Sequence, residues 1–125
     1  MSQISVRRLD RDAEELPLVR GQGRASTLTG PRGAARERSL IYFDLASGGQ
    51  SVDFRHPYEA VYYVVEGAGR VVDTDTGEAH AARGGVVIYL TADQGYRLEG
   101  PAVFVGGPCP PDPALFETLR DKGKD

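Results

Sequence analysis

Residues 54–71, FRHPYEAVYYVVEGAGRV, decide how this chain is read. Residues 60–66 are mostly β-branched and aromatic, a composition that suits a pleated, half-buried strand. Gly67-Ala68-Gly69 follows and predicts a turn. Ahead of the strand stand His56 and Glu59, two side chains able to bind a metal or move a proton. The stretch therefore poses three readings: a metal centre, a metal-free reaction site, or the packed wall of a barrel.

The pattern repeats outward from this segment. Residues 40–45 predict a strand, Ser47-Gly48-Gly49 a turn, and a second strand runs through Phe54. Residues 70–83 read as strand, turn at Asp75-Thr76-Gly77, and strand. Gly84-Gly85 leads into VVIYLT, the TADQG turn into YRLEG, and Pro101 into a last strand, AVFVG. Upstream, residues 4–9 predict a short edge strand and residues 25–29 another, within a Gly- and Arg-rich loop over 21–38. Strands at this spacing, separated by turn signals, are the mark of a sandwich or small barrel. PDPALFETLRDKG alone predicts a helix, with Asp112 as cap and Leu115, Phe116 and Leu119 on one face.

At 125 residues the chain has the length of one domain, with 40% hydrophobic and 26% charged residues. A net charge of −3 argues against a nucleic-acid binder. Cys109 is the one cysteine, so no disulfide forms within the chain and no thiolate cluster can hold zinc. No apolar run approaches the roughly 18 residues of a membrane span, and residues 1–15 lack the apolar core of a secretion signal. The cytoplasm is the compartment expected.

From YVVEGAG onward the sequence resembles the cupin superfamily, across about residues 38–108. The resemblance implies an all-β fold, a double-stranded β-helix or jelly-roll barrel, closed here by a short C-terminal helix. Residues 1–37 would pack on the barrel or exchange with a second copy, 38–108 form the barrel, and 109–125 the helix and tail. A homodimer is the assembly implied. The segment EAVYYVVEGAG is also similar to part of the ectoine synthases, with Glu59 one residue out of register and Ile88 in a tyrosine slot.

Cupins carry two histidine-rich motifs that ligate a metal. Counted back from Gly67, the slots of the first motif hold Phe54, His56 and Ala60; counted from Gly85, the second motif's histidine slot holds Tyr96. His56 is the retained ligand type. Divalent iron, manganese or zinc ordinarily takes three or more protein donors. The expectation is therefore no metal cofactor, with His56, Glu59 and Tyr96 as the set if a divalent ion binds. His80, in GEAHAAR, is expected far from the barrel mouth.

Strand alternation from residue 54 places Phe54, His56, Tyr58, Ala60, Tyr62 and Val64 on one face, joined by Ile88 and Tyr96. His56, Tyr96 and Tyr58 are the candidate catalytic residues, an imidazole and phenols suited to acid–base chemistry. Phe54, Tyr62, Ile88 and Ala60 are the candidate substrate-binding residues. The partner expected is a small organic molecule, converted by isomerisation, cyclisation or dehydration in a biosynthetic pathway. The pairing resembles the metal-free logic of cupin epimerases. A non-catalytic ligand binder is the alternative, and a metal-dependent cupin with a non-standard site is a third.

Overall fold

The computed structural model describes residue 6 and residues 8–27, 40–110 and 112–116. Ten strands run in chain order: β1 Glu14–Leu16, β2 Val19–Arg20, β3 Gly23–Thr27, β4 Ile41–Leu45, β5 Gln50–Ser51, β6 Glu59–Asp73, β7 Ala79–Arg83, β8 Val87–Leu90, β9 Tyr96–Glu99 and β10 Ala102–Cys109. One antiparallel sheet has the order β1-β3-β4-β10-β6-β8, the other β2-β5-β9-β6-β7. The two sheets thus share β6, whose first half pairs with β8 and β10 and whose second half pairs with β7 and β9. The fold is the all-β barrel expected.

The Gly67-Ala68-Gly69 turn does not form. β6 runs straight through it, with Gly67 opposite Ala102 and Ala68 opposite Arg83. The glycines serve close approach instead of reversal. Gly67 has φ +95°, and a Cβ there would meet the Pro101 carbonyl oxygen at 2.6 Å. Here the strand leaves one sheet and enters the other, after a register shift between Val103 and Phe104 that lets it bend.

Alternation along β6 buries Ala60, Tyr62 and Val64 and exposes Val61, Tyr63 and Val65. The buried set meets Ile41, Phe43 and Leu45 of β4, Leu98 of β9 and Phe104 of β10. β1 and β3 belong to the barrel wall, β3 pairing with β4 along its length. The strand expected over 4–9 falls partly outside the described residues, and Leu9–Asp12 form one helical turn. The expected C-terminal helix appears as a 3-10 turn, Pro113–Phe116; residues 117–125 lie outside the described residues. No helix among the described residues is long and apolar enough to cross a membrane.

Candidate active site

Between the last bridge of Phe54 and the start of β6, Pro57 and Tyr58 form a bend, through which even-numbered residues stay on the inner side. Phe54 is fixed by two backbone hydrogen bonds with Tyr96, its N–H donating to the Tyr96 carbonyl at 2.8 Å and receiving the return bond at 2.9 Å. His56, two residues on, points inward and is 3% exposed. The Asp93 N–H donates to the His56 carbonyl at 2.7 Å, tying the loop before β9 to this segment. Tyr58, past the bend, is half-buried and makes no bond to His56, Tyr62 or Tyr96. Tyr58 thus stands outside the hydrogen-bonded group that holds His56, the residue it was expected to partner.

A row of four side chains crosses the interior. His56 Nδ1 donates to Asp112 Oδ2 at 2.8 Å, leaving Nε2 to accept the Tyr96 hydroxyl at 2.8 Å. The Tyr62 hydroxyl in turn donates to the Tyr96 oxygen at 2.6 Å. Asp112 also accepts the Ala114 N–H on Oδ1 at 3.1 Å, so one carboxylate caps the 3-10 turn and holds the imidazole. Burial pushes the Tyr96 phenol well above its ordinary range, helped by the neighbouring Tyr62 and by the charge of Asp112. Burial likewise raises Tyr62, against the bond to Tyr96. Both phenols therefore stay neutral at ordinary pH and act as hydrogen-bond donors.

Aromatic packing surrounds the row. The Phe54 ring lies 5.5 Å from the His56 ring and 5.2 Å from that of Tyr96, while Phe43 meets both Phe54 and Tyr62 edge-on at 6.0 Å. Phe54, Ala60 and Tyr62 are thus packed interior, against the expectation that they line an open pocket. Open space lies beside them, in a cavity of about 390 Å³ between β7, β8 and β9. That volume falls in the ordinary range of small-molecule sites. Val71, Val72, Ile88, Leu90 and Tyr96 form its walls, with Asp73, His80 and Gln94 among its polar lining. Ile88 is the expected substrate contact that does line it. Tyr96 is the member of the hydrogen-bonded row that reaches it; His56 stands behind.

His80 was expected far from the mouth, but it lines this same cavity. Its placement follows from register: His80 and Leu98 both face Val71 across β6, and opposed residues share a face. Leu98 is fully buried, so that face is the barrel interior. Asp112, expected only as a helix cap, is the site residue that the sequence does not reveal. Its sequence signal, an acid ahead of Pro113, is already explained by helix capping.

The residues in the metal slots of the cupin motifs make a poor donor set. Phe54 and Ala60 carry no donor atom, both His56 nitrogens are engaged, and Tyr96 remains a protonated phenol. Glu59 is exposed on the outer face beside Tyr89, so the alternative set of His56, Glu59 and Tyr96 does not converge. Among the described residues no three His, Cys, Asp or Glu side chains gather as a metal site. These residues do not fit a bound divalent ion.

No family profile matches the sequence, and no curated protein matches it. Solved structures do match the fold. The polyketide cyclase RemF from Streptomyces resistomycificus superposes with a TM-score of 0.67 at 22% identity, over 86% of this chain and 83% of that one. An RmlC-like cupin from Shewanella frigidimarina gives 0.65 at 18% identity, over 89% and 93%. A cupin-like protein from Thermotoga maritima gives 0.63 at 16%, over 73% and 71%. The chain has the cupin fold, the double-stranded β-helix.

Proposed function

We propose that this cupin-fold chain acts on a small organic carbonyl compound by proton transfer, of the isomerisation, cyclisation or dehydration type. The observation that carries the reading is that Tyr96 both lines the cavity and stands within the hydrogen-bonded row that runs from Asp112 through His56 to Tyr62. A substrate oxygen over Tyr96 would take the phenol's one hydrogen, turned to it from His56 Nε2, while the Tyr62 hydroxyl donates to the Tyr96 oxygen from behind, an arrangement that stabilises developing oxyanion charge. His56 acts through Tyr96, its Nε2 holding the phenol hydrogen until substrate takes it. The apolar walls of Val71, Val72, Ile88 and Leu90 suit a ring-shaped body. Cyclase activity in the structurally similar RemF supports the class of chemistry by fold analogy.

Deuterium incorporation into the simple ketones 2-tetralone and 2-indanone in heavy water tests this without knowledge of the natural substrate. The native protein is expected to accelerate exchange next to the carbonyl, and Tyr96→Phe to lose about a hundredfold or more of that rate. A second reading, ligand binding without turnover, is favoured by the complete mutual pairing of the buried row. Binding of these ketones with exchange at the buffer rate would select it. A homodimer is proposed as well, since the outer face of β6 and β8 exposes Val61, Tyr63, Val65, Val87 and Tyr89. Sedimentation velocity decides that point.

A further inference from the structure

The row behind Tyr96 can hold an oxyanion, but proton abstraction from carbon needs a base that reaches the substrate. His56 does not, because Asp112 and Tyr96 occupy both its nitrogens and it does not line the cavity. We infer that His80 is the base: a second, rim-side imidazole that shares the cavity with Tyr96 and works opposite it. The inference rests on the proton-transfer reading above and names the group that reading lacks.

Three observations place His80 in that role. It sits on the inward face of β7, in register with Val71 and the buried Leu98. It lines the same cavity as Tyr96, which lies on the same face of the sheet two strands over, near Asp73. Two strand spacings and two residues of rise put the two Cα atoms about 12 Å apart, so a small ligand fits between the side-chain tips. Finally, the His80 side chain is 58% exposed, and its nearest acidic partner is Glu78, with Oε1 3.8 Å from Nε2. That distance is beyond a hydrogen bond, so the imidazole keeps a lone pair for substrate.

The step balances without any further reagent. A neutral His80 nitrogen takes a proton from the carbon beside the carbonyl, the C–H electron pair becomes the enolate, and the oxygen is held by the Tyr96 hydroxyl, whose one hydrogen turns to it from His56 Nε2. The imidazolium, open to water, trades its proton with solvent and returns a solvent proton to carbon. An exposed base therefore predicts exchange with solvent in place of retention of the original proton.

The test uses the full chain and the same ketone probes in heavy water. His80→Ala is expected to slow exchange at least tenfold, and free imidazole in the tens of millimolar is expected to restore part of the rate. Exchange by His80→Ala at the native rate, while Tyr96→Phe is inactive, overturns this inference and leaves the proton-transfer reading standing. A loss that imidazole does not relieve assigns His80 a packing role and also overturns it. No exchange by the native protein overturns both. His80 is exposed on β7, which among the described residues pairs with β6 alone, so the variant is expected to fold; His80→Gln, which keeps the polar rim but has no basic nitrogen, is expected to match His80→Ala.

Discussion

His56 and Asp112, 56 residues apart in sequence, meet at 2.8 Å in the buried interior, and this contact fastens the C-terminal segment to the barrel. Removing the carboxylate strands an imidazole with no second partner. Asp112→Ala is expected to cost about 3 kcal/mol, as losing one member of a buried pair does, and Asp112→Asn markedly less. Urea unfolding measures both. A loss under about 1 kcal/mol would mean that the segment does not close over His56.

The two buried phenols are coupled through one short bond. Tyr96→Phe leaves both His56 Nε2 and the Tyr62 hydroxyl without their partner, whereas Tyr62→Phe removes only the end of the row. The first change is expected to destabilise more than the second. A double-mutant cycle between them is expected to give an interaction of about 1 kcal/mol. Additive losses would contradict the shared hydrogen bond.

Alkaline pH probes the same pair. Burial raises both phenols above 10.0, so the folded state keeps protons that the unfolded chain releases. The contribution to stability is whole below the unfolded value and is lost as pH rises beyond about 10. Denaturation midpoints are expected to fall over that range, and the combined Tyr62→Phe, Tyr96→Phe chain to show a shallower fall. Phenolate absorbance from these two side chains is expected only with unfolding.

Gly67 marks the crossing of β6 between sheets. Gly67→Ala places a Cβ 2.6 Å from the Pro101 carbonyl oxygen at φ +95°. Strain and clash together are expected to cost about 3 kcal/mol. Gly77→Ala is a control, with φ +81° but nothing within 4 Å of its Cβ, and is expected to cost about 1 kcal/mol. Equal losses at the two positions would remove the argument from close approach.

How much of this was legible in the sequence differs by residue. His56 and Tyr96 were brought together by counting from Gly67 and Gly85, because period-2 alternation and turn glycines are local signals. Tyr58 keeps the inward parity of Phe54, His56 and Ala60 but lies half-buried in the Pro57 bend, a displacement that alternation alone does not foretell. The Gly67–Gly69 segment was read as a reversal since glycine marks both turns and close backbone approach, and sequence does not separate the two. Asp112 and His80 depend on contacts between distant segments: one on where the C-terminus folds back, the other on cross-strand register. Neither leaves a pattern in the residues nearby.

The strand common to both sheets has a mechanical consequence. Among the described residues β7 and β8 each pair with β6 alone, and the cavity opens between them. Each wall is thus a flap hinged along one seam. The flaps can swing apart by fraying their free edges while the seam holds, so amide protons of β7 and β8 should trade with solvent sooner than those of β6. Entry to the interior then costs local breathing, and the barrel need not come undone to admit a guest.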